Sequence, residues 1–166
     1  TSDDVPARVT LDHNAEKGFP RDGTWTSPKT QTRFPFTEMV PSWNVATPSD
    51  TGVLFHVRTR DRATSAWSPW LRIGQWGRVT DKARRDECEF GKIDTDTLFL
   101  NRPADAYQIR ATLQSFVFNL EVTPAVRRIA VAYSGPATAD AVWARTIHPD
   151  PGPVDRWAKS LNIPFF

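Results

Sequence analysis

The sequence is poor in sulfur and has no strong excess of either charge. Its 166 residues include one cysteine, Cys88, and one methionine, Met39. A single cysteine excludes an internal disulfide and a cysteine-based zinc site. The 21 basic and 19 acidic residues leave a net charge of +2 with the signs interspersed, which does not favour nucleic-acid binding. No apolar run approaches the roughly 18 residues that a membrane-spanning helix needs, so we expect no membrane span.

Residue patterns for catalysis and metal binding are also missing. Cys88 lies in the acidic run RRDECEFGK, which disfavours the thiolate that a catalytic cysteine needs. The three histidines have no H-x-H or H-x₃-H spacing, and no serine lies in a G-x-S-x-G turn. We interpret Glu38, which lies within an apolar segment, as a hydrogen-bonded strand residue, and Asp94 and Asp96 as a solvated turn with calcium binding as the alternative. The sequence therefore predicts no catalytic residue, no metal and no cofactor.

Alternating apolar and polar residues indicate β-strands. Residues 53–60, VLFHVRTR, place His56, Arg58 and Arg60 on one side and mainly apolar residues on the other. Residues 107–114, YQIRATLQ, repeat this pattern. Further strands are predicted at Thr24–Ser27, Phe34–Pro41, Trp70–Gln75, Thr95–Leu100, Phe116–Leu120 and Arg127–Ser134. Short strands separated by turn signals predict an all-β fold, namely an antiparallel β-sandwich of the jelly-roll kind.

Prolines and helix-forming residues add local expectations. Pro35 and Pro41 predict that Phe34–Pro41 is an interrupted edge strand, because proline cannot donate to a β-ladder. Asn101-Arg102-Pro103 predicts a turn between two strands. Residues 137–145, ATADAVWAR, are the one interior segment whose composition suits a helix.

The chain is expected to comprise three segments. Residues 1–22 would be an N-terminal extension, and residues 23–146 the β-sandwich. Residues 147–166 contain HPDPGPVDRW, with three prolines and a glycine, and end in LNIPFF. We interpret this proline-rich C-terminal tail as a linker followed by the start of a missing downstream domain.

Several of these pieces resemble one family. GTWTSP at 23–28, FPFTEMVPSWN at 34–44 and WSPWLRIGQW at 67–76 occur in the order found in the N-terminal β-sandwich of secreted bacterial C39-like, papain-type cysteine peptidases. DTDTLFL at 94–100, AYQIRATL at 106–113 and TPAVRRIAVAYS at 123–134 fit the same pattern, and LNIPFF resembles the segment that precedes the peptidase domain. The resemblance implies a catalytic cysteine, histidine and aspartate beyond residue 166, so Cys88 is not the matching cysteine. It also implies a secreted or extracytoplasmic bacterial location.

The candidate ligand-binding residues are Trp67, Trp70, Arg72 and Trp76. Aromatic rings with polar neighbours can bind sugars, although such rings also fill the cores of β-sandwiches. Strict alternation would place Trp70, Arg72 and Gly74 on one face, and Leu71, Ile73 and Gln75 on the other.

Three functional hypotheses follow. The leading one is a non-catalytic accessory domain that positions a downstream peptidase domain, either by packing against it or by binding a cell-wall or matrix polysaccharide. The second is a carbohydrate-binding module that uses a tryptophan-lined face. The third is a hydrolase whose acidic residues converge only in three dimensions.

Overall fold

The computed structural model describes residues 8–13, 20–81, 84–117 and 122–135. The chain divides into two compact units, Thr1–Gly135 and Pro136–Phe166, and every described residue belongs to the first unit. The residues expected to form a helix, and the proline-rich tail, lie outside the described residues. The three-segment division of the chain stays a prediction.

The described residues form β-strands and no helix, which confirms the all-β prediction. The strands are β1 (Val9–Thr10), β2 (Asp22–Thr26), β3 (Thr30–Ala46), β4 (Thr51–Asp61), β5 (Leu71–Gly77), β6 (Glu87–Cys88), β7 (Gly91–Asp94), β8 (Thr97–Ser115) and β9 (Ala125–Ser134).

These strands pair antiparallel in one curled sheet, a geometry compatible with the expected sandwich. The main order is β1-β9-β3-β8-β4-β5, with β2 and β7 also paired to β8, and β6 paired to β7. Strand β1 belongs to this sheet although it precedes residue 23, because Val9 pairs with Val126 of β9.

Strand β3 corrects the prediction of an edge strand. It runs continuously over 17 residues and lies between β8 and β9 at Glu38 and Met39. Its prolines nevertheless avoid doubly paired positions. Pro41 pairs with β9 beyond the last β8 partner, and Pro35 lies where the β8 register shifts. The missing proline N–H therefore interrupts no two-sided ladder.

Strand β8 corrects the prediction of two strands separated by a turn. It is continuous over 19 residues and contains Asn101-Arg102-Pro103. The Asn101-Arg102-Pro103 segment nevertheless makes the pairing irregular. The register with β4 shifts between Arg60 and Asp61, and the Pro103 carbonyl accepts a hydrogen bond from the Arg62 N–H. Phe116 and Val117, which begin another predicted strand, follow the end of β8, and residues 118–120 lie outside the described residues.

The core lies inside the curl of the sheet. Its most buried large side chains come from strands far apart in the sheet, among them Phe36, Phe55, Met39, Leu71, Ile73, Leu98 and Leu113. Trp43 of β3 stacks on Phe55 of β4 with ring centroids 4.3 Å apart, although these strands are not hydrogen-bonded neighbours. This contact across the curl shows that Trp43 is a packing residue.

The outer side of β4 and β8 is the polar face predicted by alternation. His56 lies opposite Arg110, and Arg58 lies opposite Gln108. Arg72 of β5 is the other neighbour of His56, and Thr26 of β2 is the other neighbour of Arg110. Four strands thus place polar residues side by side on one outer surface.

Candidate functional site

A β-bulge in β5 decides which tryptophans share this outer surface. The pairing with β4 shifts between Phe55 and His56, so that Gly74 lies opposite Phe55 and Arg72 lies opposite His56. Ile73 and Gly74 both face the core, because Ile73 is buried and a Cβ at Gly74 would meet the Trp43 ring. The predicted faces of Gly74 and Gln75 are therefore wrong. Gln75 lies with Arg72, whose guanidinium donates a hydrogen bond to its Oε1.

Trp76 lies on the other side of β5 as a result of the same bulge. It is opposite the core residue Val53 and lines a shallow cavity with Trp43, Asn44 and Val45. Its side chain is 56% exposed. The structure thus brings together three of the four candidate residues, Trp67, Trp70 and Arg72, and separates Trp76 from them.

A rigid connection between β4 and β5 positions Trp67 and Trp70. The Asp61 carboxylate accepts the Ala63 and Thr64 N–H groups at 2.8 Å each, and these bonds, first that from Thr64, lower the pKa of Asp61. Ser68 is 5% exposed, and its Oγ accepts the Thr59 N–H at 3.0 Å while its own N–H bonds to the Thr59 carbonyl. The backbone on both sides of Trp67 is therefore fixed to β4.

Arg58 is held beneath the two indoles by Gln108. Its Nε and Nη2 donate to the Gln108 Oε1 at 2.9 and 2.5 Å. The Gln108 Nε2 donates to the Ser27 carbonyl at 2.8 Å, and Gln108 is only 6% exposed. A buried amide that is bonded on both sides fixes the guanidinium in one orientation.

The cations and the indole rings alternate. The Arg58 guanidinium carbon lies 5.0 Å from the Trp67 ring centroid and 4.8 Å from that of Trp70. The Arg110 guanidinium carbon lies 4.0 Å from the Trp70 centroid, and Lys29 Nζ lies 5.6 Å from the Trp67 centroid. Each indole is therefore within cation–π range of two cations. We name this surface the tryptophan–arginine face and define it by Lys29, His56, Arg58, Trp67, Trp70, Arg72, Gln108 and Arg110.

Arg110 is a partly buried cation of the tryptophan–arginine face. It forms no hydrogen bond or ion pair with the described residues, and its Nε is buried without a partner there. Partial burial, and then the nearby charge of Arg58, lower the pKa of Arg110. By contrast, the neighbouring Arg60 is paired with Asp105 through bonds of 2.7 and 3.0 Å.

His56 lies among these cations, and its pKa is lowered. Burial is the largest effect and lowers the pKa of His56, and Arg110 and Arg72 lower it further, whereas Asp81 raises it. Asp81 lies 3.7 Å from Arg72, and both side chains are less than one-fifth exposed.

The other candidates from the sequence have structural surroundings. Cys88 is half-buried and packs against the core, whereas His56 lies on the outer surface, so they do not form a dyad. Glu38 accepts a hydrogen bond from the Ser134 hydroxyl at 3.0 Å, as expected for a strand residue. Asp94 and Asp96 are exposed beside the β7–β8 turn.

One cavity outside the tryptophan–arginine face contains two acids. It has a volume of about 300 Å³ and is lined in part by Asp61, Glu89 and Arg102. The Asp61 carboxylate already accepts the two backbone bonds of its turn, which favour its ionised form. A carboxylate held in this way is unsuited to donating a proton in hydrolysis.

Sequence reasoning missed the residues that organise the site. Arg58, Gln108 and Arg110 were assigned only to the polar sides of two strands, and Lys29 was not singled out. The sequence did contain one signal, because alternation placed Arg58 and Arg110 on the polar sides of their strands. The register that brings them to Trp70 depends on pairing between residues about 50 positions apart.

Within the described ranges, no three histidine, cysteine or acidic side chains converge as metal ligands. The same ranges contain no helix that is long and apolar enough to cross a membrane.

The fold and the site define an antiparallel all-β domain with a cation-rich aromatic surface. Residues 6–134 match the family model described as the Peptidase C39 N-terminal domain. This match covers most of the chain, so the chain belongs to that family, and the resemblance found in its motifs is confirmed. No curated protein and no solved structure matched the chain.

Proposed function

We propose that this chain is a non-catalytic accessory domain that positions or targets the peptidase domain of a C39-like cysteine peptidase outside the bacterial cytoplasm. The observation that carries the proposal is the family match over residues 6–134, because the family is named as an N-terminal domain of these peptidases. The surroundings of Cys88 support it, since the thiol packs toward the core, away from His56.

The accessory role predicts that the 166-residue chain cleaves no peptide. The test incubates the purified chain with a quenched fluorescent casein, with papain as the positive control for the assay. Cleavage by the wild-type chain that is lost in Cys88→Ala would overturn the proposal, because the catalytic cysteine would then lie within this domain.

Targeting is tested in a protein that joins this domain to a C39-like peptidase domain. Removal of residues 1–135 is expected to leave cleavage of a small soluble peptide intact and to reduce retention on insoluble bacterial cell-wall material. Retention that is unchanged by this removal would contradict a targeting role. A lost peptidase activity together with unchanged retention would favour a role in packing against the peptidase domain.

Carbohydrate binding is the second candidate function, and the tryptophan–arginine face favours it. Trp67 and Trp70 are half-buried on the outer surface of the sheet, beside polar side chains that could bind hydroxyl groups. Glycan binding by the isolated chain, lost in Trp70→Ala without loss of the fold, is the expected result. A folded wild-type chain that binds no glycan on an array would argue against this function.

A further inference from the structure

The tryptophan–arginine face has an excess of positive charge although the whole chain is nearly neutral. Four of its residues are cations, namely Lys29, Arg58, Arg72 and Arg110. In the part of the chain that the structure describes, only Arg72 among these four cations is paired with a carboxylate, that of Asp81. Arg58 is bonded to a neutral amide instead. Among the described residues, Lys29, Arg58 and Arg110 therefore have no carboxylate partner, which favours the approach of an anion.

Arg110 is the cation of this face on which the ligand hypothesis mainly depends. Its guanidinium is held against the Trp70 ring at 4.0 Å, so it is oriented without the use of an acid. A partly buried guanidinium without a counter-ion gains more from an incoming anion than one that is already paired. Its planar group of N–H donors suits the oxygens of a carboxylate, sulfate or phosphate.

Hydroxyl groups border Arg110 on the adjacent strands. Thr26 lies opposite Arg110 in β2, and the Thr24 and Thr112 hydroxyls lie 3.3 Å apart two positions along the same ladder. Thr24 and Thr26 are exposed, and Thr112 is partly exposed. Such hydroxyls can both donate and accept hydrogen bonds, as sugar hydroxyls require.

The cation contacts also bear on which polymer fits. Trp67 and Trp70 already interact with two cations each, so a neutral sugar ring or a nucleic-acid base would have to compete with these contacts to stack. Strand addition by a peptide at β5 is opposed as well, because the Arg72 N–H on that strand is bonded to the Arg85 carbonyl. The interactions that this face still offers to a ligand are those of its positive charges and of the neighbouring threonine hydroxyl groups.

We propose that the tryptophan–arginine face binds an acidic polysaccharide, with Arg110 as the main contact for its negatively charged groups. This inference deepens the carbohydrate-binding candidate and specifies how the accessory domain would reach its target. The aromatic rings orient the guanidinium groups, and the threonines of β2 and β8 contact the sugar hydroxyls.

The test measures binding of the 166-residue chain to polymers of defined charge by affinity electrophoresis and titration. The glycan probes are polygalacturonate, dextran sulfate and neutral dextran, and poly-glutamate and single-stranded DNA are the non-glycan polyanions. Binding to one or both acidic glycans, with little binding to dextran, is expected. Polygalacturonate and dextran sulfate distinguish carboxylate from sulfate as the preferred group. Binding should weaken as salt is added, because the charges are partly exposed.

Variants locate the site. Arg110→Gln is expected to weaken binding on the order of tenfold, as for the loss of one charged hydrogen-bonded contact. Lys29→Gln should weaken it less, since Lys29 is exposed and lies at the edge of the face. Arg128→Gln is the matched control, because it removes the same charge from an exposed position on β9 and should bind as the wild type does. Unfolding curves show whether each variant is folded.

Three results would overturn the proposal. One is equal affinity for dextran and the acidic glycans, and another is equal or tighter binding of poly-glutamate or DNA. The third is wild-type binding by folded Arg110→Gln and Lys29→Gln proteins. Absence of glycan binding in a chain that also lacks peptidase activity would reject only this ligand and leave the accessory role standing. Peptidase activity of the chain would reject the accessory role whatever the glycan result.

Discussion

Replacement of Arg58 by methionine is the sharpest test of how the tryptophan–arginine face is held together. Methionine fills much of the volume of the arginine stem but has neither charge nor donor groups. The change removes both hydrogen bonds to Gln108 Oε1 and the cation contacts with Trp67 and Trp70. Gln108, at 6% exposure, would keep only its bond to the Ser27 carbonyl.

The expected loss of stability can be estimated from these contacts. A hydrogen bond to a charged group contributes about 1.5–3 kcal/mol, and the two bonds to one acceptor are counted here as one interaction. Two partly exposed cation–π contacts add about 0.5–1 kcal/mol each. Methionine recovers part of the packing, so Arg58→Met should lower the free energy of unfolding by about 3 kcal/mol. Gln108→Leu should cost about 1–2 kcal/mol, because the half-buried Arg58 can turn toward water.

A double-mutant cycle separates this contact from general loss of packing. Because removal of both partners leaves no orphaned amide oxygen, Arg58→Met/Gln108→Leu should be less destabilised than the sum of the single variants by about 1–2 kcal/mol. Urea unfolding followed by circular dichroism gives the three free energies, provided that the m-values agree. Arg128→Met on β9 is the control and should stay within about 0.5 kcal/mol of the wild type. Additive single variants, or an Arg58→Met cost below about 1 kcal/mol, would refute this account of the face.

Three other predictions concern separate parts of the sheet. The pKa of His56 is lowered in the folded state from about 6.5, so its neutral form gives full stability above that pH, and stability is lost as pH falls through the lower folded-state pKa. In His56→Gln the drop in melting temperature between about pH 7.5 and about pH 5 should be smaller than in the wild type, and an unchanged drop would contradict this account of His56. Gly74→Ala places a Cβ against the Trp43 ring and should cost about 1–2 kcal/mol, or about 2–8 °C in melting temperature. The free-energy cost of Gly74→Ala should be smaller in a protein that also carries Trp43→Phe. An equal cost there would show that the Trp43 ring does not obstruct the added Cβ. Trp76→Ala should change the free energy of unfolding by less than about 1 kcal/mol and leave acidic-glycan binding unaltered, because this ring is exposed on the other side of β5. A loss of glycan binding in Trp76→Ala would show that Trp76 belongs to the binding site.

Local alternation was enough to predict the central strands. In residues 53–60 and 107–114 most side chains agree in chemistry with the face on which they lie, so the buried and polar sides of β4 and β8 largely follow from the sequence. Leu54, an apolar and buried residue on the polar side of β4, is an exception. The family resemblance depended on a different signal, the order of short motifs such as GTWTSP at 23–28 and WSPWLRIGQW at 67–76, and the family match confirms it.

Alternation failed where the pairing was irregular. One extra residue in β5 reverses the faces of Gly74 and Gln75 and separates Trp76 from Trp70. No local signal marks this bulge except Gly74 itself, whose missing side chain leaves room for Trp43. Likewise, Asn101-Arg102-Pro103 has the composition of a turn, but pairing with distant strands keeps it within β8. In both cases contacts between residues remote in sequence determine the outcome.

The two arginines beside Trp70 have different roles because their remaining donors differ. Arg58 directs its Nε and Nη2 to a buried amide, so its loss should appear mainly as a loss of stability. Arg110 has no hydrogen-bond or ion-pair partner among the described residues, so its loss should appear mainly as a loss of ligand affinity. If the Arg58 and Arg110 variants lowered stability equally and neither changed ligand binding, the contacts between the cations and the indole rings would contribute to packing alone. A division of effects between Arg58 and Arg110 would instead show that one arginine supports the surface and the other meets the ligand.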